Sequence, residues 1–482
     1  MMKLFQISSE AKQQGLDNAD INNITENSQK VEKGDIFICI KGANIDGHSF
    51  AEDALKKGVA AIVVEKDLGL EKQILVSDSR AYFAKLASNY YGNPTKKLKL
   101  IGVTGTNGKT TVVHIIKQLL AKMGEKCGSI GTTGCDTGNK VYESDKDIPT
   151  TPPPMQMYRY FREMVENKVK YCVMEVSSQA LSQCRLADET FVCSAFTNLT
   201  PDHLDWHKTM ENYYQAKKAL FDMSEFSVVN IGDDYGKRLY DEIKTDKFSV
   251  NTKGMGDFYS ENVKISITGS SFWLMDRVSK KAFPVISKLL GYFNVDNIMI
   301  SLAVVRQLGF DLQELIFNIE EIEGEKGRAE IIYNNDFFVV CDFAHSTDSL
   351  DKILNTIRTL SEGRVLCLFG AAGERDSTKR PKMGEAVAKY SDYIVVTSDN
   401  PRHESPQQII TQVVKGIEDY EIKREYKTFI DRKKAIYHIL GQARSGDVVL
   451  LAGKGHENYQ VIGDDYIPFD EREIVKEYFK NK

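Results

Sequence analysis

The hydrophobic pattern changes period sharply at one place in the chain. Leu98, Leu100, Ile101 and Val103 make a short apolar run that predicts a buried strand. From Thr110, apolar Val112, Ile115, Ile116, Leu119, Leu120 and Met123 recur at helical spacing until Gly124. Between strand and helix lies Gly105-Thr106-Asn107-Gly108-Lys109-Thr110-Thr111. A glycine turn joining a strand to a helix that opens on Lys-Thr is a phosphate cradle. Its backbone N–H groups converge, Lys109 supplies positive charge, and the Thr110 hydroxyl is a ligand for Mg²⁺. The usual P-loop glycine position is taken here by Val103, with Gly102 and Gly105 on either side.

The same alternation of strands and helices runs through the chain and predicts an α/β protein in three parts, 1–97, 98–325 and 326–482. In the first part, Asp35 to Ile40 and Val59 to Val64 read as strands, and the loop Lys41 to Gly47 reads on its own as a turn. In the second, Tyr171 to Val176 and Val192 to Leu199 are strands, Glu211 to Phe221 and Asn294 to Leu308 are helices, and Glu261 to Leu274 is a hairpin. In the third, four strands end in polar clusters: Asp342 to His345, Gly370 to Asp376, Ser398 to Arg402 and Gly453 to Glu457. Ligands of open α/β sheets bind at the carboxyl ends of strands, so four such clusters point to one shared site.

Composition narrows the partners. The 482 residues are 42% hydrophobic and 27% charged with a net charge of −5, and no basic block appears, so nucleic acid is not expected as a partner. The eight cysteines form no C-x-x-C pair and several sit in apolar runs, which predicts buried thiols. No apolar leader and no run long enough to span a bilayer is present, so a cytoplasmic protein without membrane insertion is expected.

Individual side chains leave alternatives open. Glu175, ending an apolar strand, suits a metal ligand beside Thr110, a helix cap or an ion pair. His203 can be a metal ligand, though a loop histidine is more often a plain hydrogen-bonding residue, and Lys217 on a helix is by default a solvated charge; Asn294 and Asn297 are ligand contacts or only the cap and first turn of a helix. His345 is catalytic or a satisfied loop histidine, and Arg375 and Arg402 are candidates for bidentate recognition of a carboxylate or phosphate. Together these residues support a Mg-ATP enzyme whose second substrate is held by a separate αβ domain.

The strand-end sequences, taken together, resemble the Mur ligases over essentially the whole chain. The matches are Lys41 to Gly47, Gly105 to Thr111, Thr150-Thr151-Pro152, Glu175 to Ser178, Asn198 to His207, Ala216-Lys217, Asn294 to Asn297, Gly327 to Glu330, Asp342 to Ser349, Gly373 to Arg380, Asp399 to Arg402 and Gly453 to Gln460. The displaced P-loop glycine is also what this family shows. The resemblance implies the three-domain Mur ligase architecture: an N-terminal UDP-binding domain, a central P-loop ATPase and a C-terminal Rossmann-like domain. It implies a monomer that uses ATP and Mg²⁺ to activate UDP-MurNAc-L-Ala-D-Glu as an acyl phosphate, which a diamino acid then attacks.

By the same resemblance, Gly105, Thr106, Asn107, Gly108, Lys109, Thr110, Thr111, Asn294, Asn297, Arg328 and Asp342 bind ATP. Thr110, Glu175, His203 and a carbamylated Lys217 hold the metal, and His345 belongs with Lys109, Glu175, His203 and Lys217 in the catalytic set. Ser28, Ala43, Asn44, Ile45, Thr150, Thr151, Ser177, Gln183 and Arg185 match the UDP-MurNAc-dipeptide site; Arg375, Asp399, Asn400, Pro401, Arg402, Gly453 and Glu457 match the amino-acid site. The form Asp-Asn-Pro-Arg is associated with meso-diaminopimelate, because Arg402 can clamp a distal carboxylate that lysine lacks.

Three departures stand beside the matches. Asn27-Ser28-Gln29 replaces Asp-Ser-Arg, Asp342-Phe-Ala-His-Ser-Thr-Asp348 replaces Asp-Tyr-Ala-His-Thr-Pro-Asp, and Gly370-Ala-Ala-Gly-Glu-Arg is unusual. They keep three rivals in view: a lysine-adding ligase, one acting on another diamino acid such as lanthionine, and a P-loop ATPase or binding module that makes no bond.

Overall fold

The computed structural model describes residues 2–480 apart from 17, 43, 44, 144–148, 187, 188, 253 and 255. Two of the expected substrate positions, Ala43 and Asn44, therefore lie outside the described residues. Three larger sheets follow one another along the chain.

The first is a parallel sheet of Ile24–Thr25, Ile36–Ile38, Ala61–Val64 and Gln73–Leu75, in that order. Leu86 and Phe83 of the Ser79–Tyr90 helix pack on one face of it, together with Ile36, Ile38 and Val63. The second sheet is built around Lys99–Thr104, which lies between Tyr171–Glu175 and Cys193–Phe196, both parallel to it. Glu175 pairs in register with Val103, and Phe196 with Thr104, so the three carboxyl ends finish level. The chain leaves the central strand with neighbours on both sides, which opens a crevice at those ends.

The Lys109–Lys122 helix buries Val112, Ile115, Ile116, Leu119 and Leu120 against this sheet. Each such side chain contributes about 1.5–3 kcal/mol on burial. That contribution, rather than the turn, fixes the helix N-terminus beside the strand end. The expected hairpin is the pair Phe258–Ser266 and Gly269–Asp276, and a third antiparallel strand, Lys281–Ser287, extends it.

The third sheet runs Glu330–Asn334, Phe338–Asp342, Val448–Ala452, Val365–Phe369, Tyr393–Thr397 and Glu425–Phe429. All but the first pairing are parallel. The four strands expected here are present, and their fully buried apolar runs are those of a sheet covered on both faces. The eight cysteines are free thiols, seven of them buried, and burial pushes Cys127 and Cys193 up to about 12. Among the described residues, no helix is long and apolar enough to cross a membrane.

Candidate active site

At the end of Lys99–Thr104 the backbone turns through Gly105 at φ +148°, where a Cβ would sit 1.9 Å from Thr197 Oγ1. Only glycine lets the turn pass that close to the neighbouring strand. The Lys109 ammonium folds back over the turn and donates to the carbonyls of Gly105 (3.0 Å) and Thr106 (2.8 Å). Burial pushes its pKa down, and the Glu175 carboxylate opposes that shift.

A cavity of about 350 Å³ opens beside this turn, lined among others by Asn107, Gly108, Thr111, Asn294, Asn297, Arg328 and Asp342. Asn294 and Asn297 form the first turn of the Tyr292–Gln307 helix and are tied to each other by Asn297 Nδ2 donating to Asn294 Oδ1 at 2.9 Å. They belong to the start of a helix, and both line the cavity. Arg328 stacks over Phe343 at 4.7 Å and donates to the Thr110 hydroxyl at 3.2 Å, while its buried Nε lacks a partner. Asp342 accepts from the Ala329 and Ala344 N–H groups at 2.6 and 2.7 Å; burial raises its pKa and Arg328 opposes the rise.

Thr110 and Glu175 line a smaller cavity of about 200 Å³ on the other side of the turn. Glu175 is buried, and its two oxygens accept from the N–H (2.8 Å) and hydroxyl (3.2 Å) of Thr132. The costly carboxylate at the strand end is thus met by hydrogen bonds.

Lys217 has its Nζ at 2.7 Å from the Gly105 carbonyl and 4.7 Å from the Tyr213 ring centroid. It is fully buried and makes no ion pair among the described residues. Burial, with Lys109 adding to it, pushes its pKa well below the usual lysine value. His203 adopts φ +51°, faces the edge of the same Tyr213 ring at 6.1 Å, and has its pKa lowered by burial against the pull of Asp202.

A second cavity, about 580 Å³, lies at the carboxyl ends of the third sheet. It is lined by His203, Phe343, His345, Arg375, Asp399, Asn400, Arg402, Gly453 and Glu457 among others. The four polar clusters therefore divide: Asp342 lines the first cavity, and Phe343, His345 and the other three clusters line the second. The expected single site is two cavities with the Asp342–His345 segment between them.

Arg375 is exposed on this cavity, and Arg402, at φ +54°, has a buried Nε without a hydrogen-bond partner among the described residues. Pro401 does not line the cavity; its carbonyl backs Gly373, where a Cβ would meet it at 1.9 Å. Gly453 passes Asp399 so closely that a Cβ would lie 2.7 Å from the carboxylate.

The other expected substrate positions lie apart from both cavities. Thr151 Oγ1 donates to the Glu175 carbonyl at 2.9 Å and accepts from Ser177 N–H at 3.0 Å, and Thr150 approaches Thr132 at 3.2 Å. Arg185 donates to the Thr151 carbonyl and to Gln183 Oε1 at 2.7 Å, and burial lowers its pKa against the pull of Glu26 from the first sheet's domain. Ser28 accepts from Lys57 at its carbonyl and Ile45 is 62% exposed.

Sequence reasoning missed the contacts that hold the parts together. Asp348 accepts from Asn107 of the turn at 2.9 Å and from Thr200 at 3.3 Å, and Lys379 reaches Asp202 at 3.4 Å. These pairs are far apart in sequence, and no local spacing announces them. The departure at 342–348 is absorbed locally: Phe343 packs against His456 as well as Arg328, and Ser346 caps the Thr347–Leu360 helix with Ser349.

The fold and geometry define an α/β protein with a phosphate-binding turn and a second, charged cavity across a shared wall. Comparison with known proteins makes the class definite. The Mur ligase middle domain matches residues 103–305, the Mur ligase glutamate ligase domain 327–455, and the Mur ligase family catalytic domain 20–91. A UDP-N-acetylmuramoyl-L-alanyl-D-glutamate--2,6-diaminopimelate ligase of Clostridium acetobutylicum is 41% identical, over 99% of each chain. One of the same description from Geobacillus thermodenitrificans is 39% identical, over 96% of each. A solved structure described as that ligase superposes with a TM-score of 0.68 at 31% identity, covering 96% of this chain and 95% of its own. MurF of Thermotoga maritima in complex with ADP shares the fold, with a TM-score of 0.61 at 21% identity over 95% and 97% of the chains. This chain belongs to the Mur ligase family.

Proposed function

We propose that the protein joins meso-diaminopimelate to UDP-MurNAc-L-Ala-D-Glu in the cytoplasm, at the expense of ATP. The observation that carries this reading is the second cavity, where the cations of Arg375 and Arg402 and the carboxylate of Glu457 face one space. An amino acid with both a distal carboxylate and a distal ammonium matches that set; lysine, with a single carboxylate, leaves one arginine unmatched. The unpartnered Arg402 Nε favours the carboxylate-bearing substrate over lysine. The relatives at about 40% identity carry the same activity in their names.

In this reading the parts are an N-terminal UDP-binding domain (1–97), a central ATPase (98–325) and a C-terminal amino-acid-binding domain (326–482), acting as a monomer. ATP occupies the first cavity, with its phosphates over Gly105 to Thr111 and its nucleoside against Asn294, Asn297, Arg328 and Asp342. The Thr110 hydroxyl and Glu175 carboxylate share one small cavity and are hard oxygen donors, few enough to suit Mg²⁺, which keeps waters and phosphate oxygens. Bound there, Mg²⁺ neutralises charge on the phosphates.

The terminal carboxylate of the dipeptide attacks the γ-phosphorus, and the bond to the β-phosphate oxygen breaks, releasing ADP. Lys109 meets the charge on the migrating phosphoryl group. The incoming amine then attacks the acyl carbon, and the C–O bond to phosphate breaks. His345 donates through Nδ1 to the Phe343 carbonyl at 2.8 Å, which leaves Nε2 free to take the amine's proton.

Lys217 supplies the second metal position as a carbamate beside His203. A carbamate forms by attack of an unprotonated amine on CO₂, and an amine buried against a carbonyl with no carboxylate partner favours that form. Ser28, Ile45, Thr150, Thr151, Ser177, Gln183 and Arg185 hold the UDP-dipeptide. Phosphate release measured with each substrate omitted in turn tests the reading: release should require the UDP-dipeptide. Hydrolysis of ATP at the same rate without it would make the protein an ATPase that forms no bond.

A further inference from the structure

Beneath the second cavity lies a lysine that the roles above leave unused. Lys454 follows the Val448–Ala452 strand and is 0% exposed. Its Nζ donates to Glu457 Oε2 at 2.9 Å and to Asn400 Oδ1 at 2.5 Å, and lies 3.5 Å from Asp399 Oδ1. The three donors of one ammonium are thus spread over three side chains of the cavity wall.

Two features make this more than an ordinary buried ion pair. Glu457 Oε2 also accepts from Asn400 Nδ2 at 3.0 Å, so one oxygen of Glu457 is taken by two donors while the residue still lines the cavity. No hydrogen bond to Oε1 occurs among the described residues. The second feature is what lies behind it. Arg432 is bonded to Glu471 at 2.8 Å, and Lys454 stands between Asp399 and Glu457, so each buried cation is met by a carboxylate.

We infer that Lys454 is a positioning residue for substrate choice: it pins Glu457 by one oxygen so that the other receives the distal ammonium of the incoming amino acid. The inference rests on the diaminopimelate reading and adds to it the group that enforces it. Lys454 itself does not touch the substrate. Without it, Oε2 of Glu457 keeps only the Asn400 Nδ2 bond among the described residues, the carboxylate is held less firmly, and the ammonium meets a less fixed acceptor.

The test compares kcat/KM for meso-diaminopimelate with that for 2-aminopimelate, which keeps the distal carboxylate and lacks the distal amine. Wild type should prefer diaminopimelate by roughly tenfold or more. Lys454→Met should bring the ratio toward one through a raised KM for diaminopimelate, with KM for ATP unchanged. Glu457→Gln should do the same, and the double variant should lose no further selectivity, because one residue acts through the other. A variant that keeps the wild-type ratio, or slows both amino acids equally at unchanged KM, overturns the inference, as does an additive double variant. Wild type that fails with diaminopimelate removes the underlying reading and the inference with it. If thermal melting shows Lys454→Met unfolded, a structure of wild type with diaminopimelate decides. Glu457 bridging Lys454 and the ligand ammonium supports the inference, and Lys454 Nζ on a ligand carboxylate overturns it.

Discussion

Two buried lysines, Lys217 and Lys454, differ in what surrounds them. Lys454 lies among Asp399, Asn400 and Glu457, whereas Lys217 has a carbonyl and an aromatic ring as contacts, with Lys109 acting on it against the more distant Asp202 and no ion pair among the described residues. Burial alone disfavours an ammonium, and carboxylates restore it. The first environment ties its lysine to polar side chains of the cavity wall. In the second, burial, with Lys109 adding to it, pushes the Lys217 pKa well below the usual lysine value.

The comparison is broken most severely by removing the charge that serves the phosphates. Lys109→Ala should lower turnover by at least on the order of a hundredfold, with the melting temperature little changed, since its ammonium bonds only to two turn carbonyls. Retained phosphate release would remove the turn from the chemistry.

Lys217→Ala should be comparably inactive and partly restored by added formate or acetate, whose oxygens stand in for the carbamate. Lys217→Met should melt close to the wild-type temperature, because the methionine keeps the buried volume and what is lost is the bond from Nζ to the Gly105 carbonyl, which still accepts from Lys109. Wild-type activity in either variant would put Lys217 on the same footing as Lys454.

Arg402→Ala sharpens the other side. Loss of a charge-assisted bond to the distal carboxylate is worth about 1.5–3 kcal/mol. Measured kcat/KM for diaminopimelate should fall roughly tenfold or more, and that for lysine should stay level.

The smallest effect is in acid. Burial, with Arg328 beside it, holds His456 at about 4. Unfolded, the histidine takes its proton near 6.5, so stability is complete above that pH and falls as pH drops toward 4. Unfolding midpoints between pH 7 and pH 4.5 should fall less steeply for His456→Gln than for wild type.

How much of this was legible in the chain follows the range of the interactions. The turn at Gly105 to Thr111 is local: its glycines, the strand before it and the helical period after it lie within one stretch of sequence. The strand-end clusters were legible too, because a polar run after an apolar one marks the mouth of a parallel strand. Their division into two cavities was not, since it depends on how the segment from Asp342 to His345 is set between the sheets. The strand Lys281–Ser287 escaped because its proline and exposed edge give no clean alternation. Lys454 sat in plain view inside Gly453-Lys-Gly-His-Glu457, but a lysine in a glycine loop reads as solvated until its neighbours are known. The tie from Asp348 to Asn107 spans 241 positions and has no local signature.

The most direct test is mass spectrometry of the UDP-linked product. The purified protein is given ATP, Mg²⁺, UDP-MurNAc-L-Ala-D-Glu and equal concentrations of meso-diaminopimelate and L-lysine. The diaminopimelate tripeptide should dominate, with ADP and phosphate formed in equal amount. A dominant lysine product, or ATP turnover without a new amide, would contradict the account.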